Sequence, residues 1–466
     1  MRSTILSSLI SATVIVFLSG CNDPNSSGKI EVNQASESTA AKEAFSAPSG
    51  PDIGWPNVYG PSYNSTSAET NVLTRWPASG PIVKWTRPTG AGYSAPVSVG
   101  DETVTIFRKA DEEVVECLNT RTGELKWEHR YSSDFKSKYD YSNGPYSTPV
   151  ISQQSVITIS AAGQINCLSR DSGDVRWSRD LFNEYEISKR DWPFAGSPLL
   201  LEDRLILNLG AAEQEAGIVA IDLAEGKTIW EATTDGYAHT TPTIATIHGQ
   251  RLVFVLTFEG LVCLDPEDGT VHWQIAHQVR DPTGMNGTNA VSPIVIDDRV
   301  CVVSGPKVKP GLRCFRVLPD GTYDEPWRDI RLLKSQYTNL VGVNGYLFAF
   351  TPMTVGGPTM KCIDVINGKL AWKGKPDLGR GNMLAVNDSI IILGEDGTLA
   401  SFELNTSKLI EISRTDQPVL EKPCYTSLAL NQGLLFARNE KQLICFDLRR
   451  STPKTSDSDF DFRHEP

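Results

Sequence analysis

The stretch KCIDVINGKLAW, Lys361–Trp372, decides the fold of this chain, because its pattern recurs along most of the sequence. In the pattern, a small residue stands ten positions before a Trp, and a Gly stands four positions before the same Trp. Four further copies keep this spacing: CLNTRTGELKW from Cys117, CLSRDSGDVRW from Cys167, AIDLAEGKTIW from Ala220 and CLDPEDGTVHW from Cys263. Three degenerate copies begin at Cys314, with a three-residue insertion, at Ser401, without Gly or Trp, and at Cys445, which stops before the Trp.

Each copy predicts a β-hairpin. β-forming residues precede the turn, and the turn itself is built from Asp, Pro and Gly, where Gly supplies the positive φ that such turns need. After the turn, Leu125 and Trp127 are two residues apart, as are Val175 and Trp177. The alternation of side chains along a strand predicts that each of these pairs shares one face.

A second signal, SAPV at Ser94–Val97, precedes each hairpin in a strong or weakened form. Its third position is occupied in turn by Pro96, Pro149, Pro198, Pro242, Pro293, Asn339, Met383 and Ser427. Seven steps connect the first of these residues to the last, which gives a period of roughly 47 residues, typical of four-stranded propeller blades. A further apolar strand follows each signal, so a repeat has four strands and the chain has eight repeats. A solenoid is the alternative architecture.

The two ends of the repeat array predict a closed ring. The eighth repeat offers only three strands, from Thr426 to Leu448, whereas PIVKWTRP, Pro81–Pro88, is an orphan strand whose Trp85 matches the missing Trp. Pairing the orphan strand with the C-terminal strands would remove the open sheet edges. The sequence therefore predicts an all-β, eight-bladed β-propeller of four-stranded antiparallel blades over residues 81–450, closed by pairing an N-terminal strand with the C-terminal blade.

The segments outside the ring predict an exported and anchored protein. Arg2, the apolar run Ile5–Leu18 and a small-residue ending form a secretory leader over residues 1–20. The ending resembles the bacterial lipobox, which implies a lipid on Cys21 and, because Asn22 follows, an outer membrane with the protein facing the periplasm. Residues 21–53 predict a flexible tether, residues 54–80 a lead-in segment packed on the propeller, and residues 451–466 a disordered tail.

Composition argues against several classes of function. A formal net charge of -12 without a basic patch predicts no nucleic-acid partner and no direct adsorption on anionic lipid. The six His residues lack metal-ligand spacing, and no catalytic triad signature or phosphate loop is visible. The acids that recur before turns, such as Asp265, suit turn capping better than acid–base catalysis. We therefore expect a monomeric propeller without a metal site or catalytic residues.

Most of the cysteines are expected to be free. Equivalent positions on neighbouring blades lie roughly 10 Å apart, whereas a disulfide needs Cα atoms within about 7 Å. The six cysteines that share the small-residue column should therefore be buried, unpaired and inert: Cys117, Cys167, Cys263, Cys314, Cys362 and Cys445. A bridge between Cys301 and Cys424 remains open.

One group of residues forms a candidate binding site. The repeat register gathers the residues just before the innermost strands around one mouth of the central channel: Tyr93, Tyr146, Phe194, His239, Asn289, Tyr337, Arg380 and Tyr425. Aromatic and polar side chains that converge on a funnel predict a binding site. The alternative is that they plug the axis and cap the strand ends.

The hairpin pattern resembles the tryptophan-docking repeat of the pyrroloquinoline-quinone (PQQ) propeller superfamily, over about Trp55 to Leu448. The resemblance implies that one Trp per blade packs against the next blade in a girdle, and seven residues occupy that column: Trp85, Trp127, Trp177, Trp230, Trp273, Trp327 and Trp372. One branch of the superfamily holds PQQ over calcium, usually with a disulfide between adjacent Cys, and this chain has no adjacent Cys pair. The other branch resembles the propeller lipoprotein of the outer-membrane protein assembly machinery.

Two functions follow from these branches. The preferred hypothesis is a non-enzymatic, membrane-anchored propeller without a cofactor, which presents a binding face to protein or cell-envelope partners. The alternative is a PQQ-dependent quinoprotein oxidoreductase with PQQ and calcium in the central channel. The lipobox, the tether and the ring favour the first.

Overall fold

The computed structural model describes residues 54–139, 141–188, 191–278, 289–306, 309–352 and 356–450. The predicted leader, the lipid on Cys21, the tether over residues 21–53 and the tail over residues 451–466 lie outside the described residues. The described part of the chain is almost entirely β-structure, with one short α-helix, Leu181–Glu184, and one 3-10 helix, Ala212–Gln214.

The strands form eight sheets of successive segments, which we number as blades in chain order. Two strands precede the first repeat, β1 (Thr66–Ser67) and β2 (Ile82–Pro88). Blade 1 contains β3 (Val97–Val99), β4 (Glu102–Lys109), β5 (Glu112–Asn119) and β6 (Leu125–Ser132), and blade 2 contains β7 (Val150–Ile151), β8 (Ser155–Ile159), β9 (Gln164–Ser169) and β10 (Val175–Asp180). Blade 3 contains β11 (Leu199–Leu201), β12 (Arg204–Ala211), β13 (Ala216–Asp222) and β14 (Thr228–Ala232), and blade 4 contains β15 (Thr243–Ile247), β16 (Gln250–Leu256), β17 (Gly260–Leu264) and β18 (Val271–Ala276). Blade 5 contains β19 (Ile294–Ile296), β20 (Arg299–Val303), β21 (Leu312–Val317) and β22 (Tyr323–Asp329), and blade 6 contains β23 (Val341–Val343), β24 (Tyr346–Phe350), β25 (Met360–Asp364) and β26 (Lys369–Gly374). Blade 7 contains β27 (Gly381–Val386), β28 (Ser389–Gly394), β29 (Leu399–Glu403) and β30 (Glu411–Arg414), and blade 8 contains β31 (Ala429–Asn431), β32 (Leu434–Arg438) and β33 (Gln442–Asp447).

The predicted eight-bladed propeller is confirmed, and so is its closure. Within each blade consecutive strands pair antiparallel, and blade 8 takes its fourth strand from β2. Trp85 of β2 lies opposite Cys445 of β33, and Thr86 lies opposite Ile444. The chain therefore forms a ring latched by its two ends, and it does not continue as an open solenoid.

A bulge in every hairpin overturns one prediction. In blade 1, Trp127 lies opposite Cys117 and Leu125 lies opposite Leu118, so Lys126 is an extra residue in β6. The same register shift recurs at the corresponding point of all eight blades. Because a bulge sets two residues opposite one, the side chains on either side of it no longer share a face. Trp127 is 6% exposed and Leu125 is 46% exposed, so the predicted shared face was wrong.

The bulge turns each Trp toward the next blade, where its indole Nε1 donates a hydrogen bond to a backbone carbonyl of the hairpin turn. The seven donor and acceptor pairs are Trp85 to Thr120 (3.0 Å), Trp127 to Arg170 (2.7 Å), Trp177 to Leu223 (2.8 Å), Trp230 to Pro266 (3.2 Å), Trp273 to Gly321 (3.2 Å), Trp327 to Val365 (2.7 Å) and Trp372 to Asn405 (2.6 Å). Each indole is thus buried while its N–H group keeps a hydrogen bond. We expect the burial of each indole to stabilise the contact between two neighbouring blades, here called the seam, by roughly 2–3 kcal/mol.

The Gly of the repeat is needed because it lies under the indole of the preceding blade. Gly173 has φ +77°, and a Cβ added there would lie 2.5 Å from Trp127. Gly100 has φ +58°, but a Cβ added there would meet open space. We expect Gly100→Ala to cost roughly 1–2 kcal/mol, from backbone strain alone. Gly173→Ala should cost about twice as much, because the indole must also move, and urea denaturation would measure both variants. Equal losses would contradict the docking argument.

Trp76, from the lead-in segment, serves the seam that lacks a docking Trp. Blade 7 has Ser413 at the docking position, opposite Ser401. The backbone N–H of Trp76 donates to Ser413 Oγ at 3.0 Å, and its side chain is 8% exposed. It packs in one cluster with Leu399 of blade 7 and Leu430 of blade 8. The lead-in segment therefore supplies an indole where the repeat has lost its own.

The lead-in segment also crosses the axis of the ring. It forms hydrogen bonds with residues at the inner strands of six blades: Trp55 with Ser98, Pro56 with Ile151, Tyr63 with Leu200, Tyr59 with Ser292, Ser65 with Asn339 and Ser65 with Ala385. β1 pairs in parallel with β27 of blade 7. These contacts, on opposite sides of the ring, make the segment a floor across the channel.

The eight cysteines in the described part of the chain are buried and free, as predicted for the small-residue column. Cys301 and Cys424 do not form a bridge, because the strand register sets Cys301 opposite Cys314. Burial raises the pKa of the Cys117 and Cys362 thiols to about 12. These thiols are therefore protonated and unreactive at neutral pH.

Candidate binding site at the channel mouth

The two faces of the ring differ because the strands alternate in direction. The turns between the first and second and between the third and fourth strands of a blade lie on one side, here called the hairpin face. The connections between blades and the turns between second and third strands lie on the other side, here called the mouth face. The candidate binding residues precede the first strands, so they belong to the mouth face.

A cavity of about 200 Å³ lies at the centre of the mouth face. Six of the eight predicted residues line it: Tyr93, Tyr146, His239, Tyr337, Arg380 and Tyr425. Their neighbours in the lining include Tyr59, Tyr141, Trp192, Asn339 and Asn382. Tyr59 comes from the lead-in segment, so the floor across the channel also closes this cavity from below.

The other two predicted residues lie behind the wall. Phe194 is 1% exposed and packs against Tyr237, with ring centroids 5.2 Å apart. Asn289 is also 1% exposed, and its Nδ2 donates to Thr257 O at 2.8 Å. Both side chains turn into the protein to complete the packing of strand ends, which is the alternative role that the sequence left open.

Tyr141 and Trp192 escaped the sequence analysis because the connections that carry them do not follow the repeat. The one sequence signal for Trp192 is that it is a Trp that does not belong to the docking column. It stacks on Tyr139 with ring centroids 4.6 Å apart and lies 5.0 Å from Tyr141. Tyr139 and Tyr141 are 42% and 49% exposed, and Tyr141 and Trp192 line the cavity, so this cluster forms an aromatic rim at one side of it.

The inner wall is a cluster of tyrosines. The ring centroid of Tyr93 lies 4.7 Å from that of Tyr146 and 5.2 Å from that of Tyr425, the latter edge to face. Burial raises the pKa of Tyr93 and Tyr146 well above the usual value for a phenol. Both hydroxyls are therefore neutral at the pH of any cell compartment. Tyr337, which is half exposed, has φ +63°, a strained conformation of the kind that often marks functional sites.

Arg380, the one Arg or Lys among the described residues of the lining, is already neutralised. Arg380 donates from Nε and Nη2 to the two carboxylate oxygens of Glu395, at 2.9 and 3.0 Å. These hydrogen bonds raise the pKa of Arg380. The guanidinium also lies 5.6 Å from the ring of Tyr425, and the Asn382 amide donates to Tyr425 O at 3.0 Å. The polar groups of the wall are thus held in place.

The residues at the mouth do not fit a calcium ion. Calcium takes six to eight oxygen ligands, with carboxylates prominent among them. Among the described residues, the cavity lining contains no Asp or Glu, and the nearby Glu395 carboxylate is engaged by Arg380. Nowhere in the described ranges do three or more His, Cys, Asp or Glu side chains gather as metal ligands would. The described residues of the mouth therefore do not fit the calcium ion that PQQ chemistry would need.

None of the helices in the described residues has the length and apolar character to cross a bilayer.

Two solved structures are similar in fold: BamB from Moraxella catarrhalis (TM-score 0.55, 15% identity, 80% of this chain and 98% of that one) and quinohemoprotein alcohol dehydrogenase from Comamonas testosteroni (TM-score 0.60, 14% identity, 88% of this chain and 82% of that one). At these identities the likeness shows the fold alone.

The sequence comparisons are more specific. Outer membrane protein assembly factor BamB of Moranella endobia (strain PCIT) is 22% identical over 253 residues, which are 53% of this chain and 61% of that protein. The chain thus matches about three-fifths of the length of this relative. A family profile described as outer membrane protein assembly factor BamB matches residues 111–373, more than half of the chain. This eight-bladed propeller belongs to the BamB family.

Proposed function

We propose that the protein is a non-enzymatic scaffold that binds protein partners in the cell envelope through its mouth face. A lipid on Cys21 would anchor a monomeric propeller to the outer membrane, with the ring facing the periplasm. Membership of the BamB family supports this function, because the family profile and the matched relative are both described as an outer membrane protein assembly factor.

The observation that carries the proposal is the aromatic rim. Tyr139 and Tyr141 are 42% and 49% exposed and pack on the half-buried Trp192, and Tyr337, 49% exposed, lines the same cavity. Tyr and Trp dominate the binding energy of many protein interfaces, because a large rigid ring is buried at low entropic cost. Exposed aromatic side chains grouped on one face of the propeller favour a partner that covers them.

Cross-linking in envelope membranes would test this function. We expect the full-length chain to capture a defined partner, and Tyr139→Ala combined with Tyr337→Ala to reduce the capture at least 10-fold. Tyr323→Ala is the matched control, because Tyr323 is 37% exposed in the last strand of blade 5, away from the mouth. Capture that is unaffected by the rim variant would overturn the assignment of the surface.

Two further assays address the anchor and the alternative function. Acyl labelling of the wild-type chain should be lost in Cys21→Ser, and equal labelling of both would remove the anchor from the proposal.

Purified protein supplied with PQQ and calcium should not oxidise alcohols or sugars with an artificial electron acceptor. Turnover would replace the scaffold function by that of a quinoprotein oxidoreductase.

A further inference from the structure

The cavity inside the aromatic rim has chemistry of its own, distinct from that of the rim. We propose that it binds one pyranose ring of a neutral glycan. This inference goes beyond the scaffold function and does not depend on it. Ligand sites for drug-sized molecules have roughly 300–1,000 Å³, so a cavity of about 200 Å³ suits a ligand with a single ring.

The first argument concerns the apolar surface of the wall. Tyr93, Tyr146 and Tyr425 form a continuous aromatic surface, because their centroids are 4.7 and 5.2 Å apart. Tyr59 closes the floor, and its hydroxyl lies 3.0 Å from Ser292 Oγ, which fixes the ring. A pyranose has one face of C–H groups, which are apolar and carry partial positive charge. Such a face packs on the electron-rich face of an aromatic ring.

The second argument concerns the hydrogen-bonding groups between those rings. The Tyr146 hydroxyl donates to Ser142 O at 3.2 Å, so its oxygen lone pairs remain as acceptors. Arg380 uses Nε and Nη2 for Glu395, which leaves its Nη1 group as a donor. Both residues line the cavity, and a sugar ring with several hydroxyls, each of which donates and accepts, can satisfy this acceptor and this donor together.

Charge and polarity exclude two other classes of ligand. An anion such as a phosphate would need an unpaired cation, but Arg380, the one Arg or Lys in the described lining, has its charge balanced by Glu395. An aromatic side chain from a protein would fill the cavity but leave Arg380 Nη1 and the acceptor lone pairs of the Tyr146 hydroxyl unused, which costs affinity. A neutral sugar ring avoids both penalties. The exclusion of water by the rim would strengthen the hydrogen bonds inside.

The test uses the purified full-length protein with three neutral trisaccharides, chitotriose, maltotriose and cellotriose. Saturation-transfer NMR should detect at least one of them in the bound state, and calorimetry should give a Kd of roughly 0.1–1 mM. We expect Tyr93→Ala to weaken that affinity at least 10-fold. Tyr425→Phe, which keeps the ring and removes only a hydroxyl, should weaken it less and guards against a folding defect.

Tyr323→Ala, with its ring removed far from the cavity, should leave sugar affinity unchanged. No binding by any trisaccharide at 10 times the expected Kd would overturn the inference, as would full affinity in both Tyr93→Ala and Tyr425→Phe. The rim variant Tyr139→Ala separates the two proposals. It should weaken partner capture and keep sugar binding, whereas Tyr93→Ala should weaken sugar binding and keep partner capture.

Discussion

Arg438→Leu is expected to lower the free energy of unfolding by about 4 kcal/mol or more. Arg438 belongs to β32 of blade 8 and its side chain is completely buried without an acidic partner. Burial lowers the pKa of Arg438 to about 10, so the guanidinium is still charged at neutral pH. Backbone oxygens take the place of a counter-ion and draw blade 8 onto blade 1.

The acceptors explain the size of the effect. The guanidinium donates to Ile106 O at 2.7 Å, Gly90 O at 3.0 Å, Ser94 O and Asn439 O at 3.2 Å, and Gly92 O and Thr105 Oγ1 at 3.3 Å. Leu would leave several of these carbonyls buried without a donor, and each such group costs roughly 1–3 kcal/mol. Removal of the buried charge offsets only part of this loss.

Urea denaturation of Arg438→Leu beside Arg316→Leu would measure the effect. Arg316 is 41% exposed and pairs with Asp324 on the surface of blade 5, so its loss should change stability little. Arg438→Lys should fall between wild type and Arg438→Leu, because it keeps the charge but not the planar fork of donors. Equal stability of Arg438→Leu and Arg316→Leu would contradict the role given to Arg438.

Trp85→Ala is expected to cost about 3–5 kcal/mol. Trp85 acts at the same seam from the other end of the chain. Its indole lies over Gly123 of blade 1, donates to Thr120 O at 3.0 Å and packs on Phe436 of blade 8 with centroids 5.9 Å apart. The variant therefore leaves a cavity between the first and last blades and loosens the strand that closes the ring.

Ile82→Ala is the matched control for Trp85→Ala. Ile82 lies in the same strand, β2, but is 75% exposed, so its truncation should change stability by less than about 0.5 kcal/mol. Thermal and urea unfolding followed by tryptophan fluorescence would compare the two variants. A loss in Trp85→Ala no larger than in Ile82→Ala would mean that the ring does not depend on this latch.

Local repetition explains why the ring could be predicted. A spacing of ten residues, as from Cys362 to Trp372, marks a hairpin in five repeats, and the eight positions of the second signal, from Pro96 to Ser427, fix the number of blades. The orphan strand supplies Trp85, and the last repeat lacks the strand that carries this Trp. The structure pairs the two. Closure therefore followed from sequence, since each strand edge must be paired wherever it would otherwise be exposed.

The candidate site was only partly predictable, because some of its residues lie outside the repeat. Tyr93 and Tyr146 hold a fixed offset from the first strand of a blade, and the register brought them to the mouth. Phe194 holds a similar offset but lies buried against Tyr237. Tyr141 and Trp192 lie on connections with no periodicity, so nothing in the sequence set their distance from the axis.

Sequence by itself determined the strand pairing, the number of blades, the latch and the buried column of free thiols, because each depends on hydrogen bonding or packing at a regular spacing. Tertiary structure alone decided how each bulge turns its Trp toward the next blade, how Trp76 fills the seam without a docking Trp, and how the lead-in segment closes the channel beneath Tyr59. These features depend on contacts between residues far apart in the chain, and no local pattern encodes such distances.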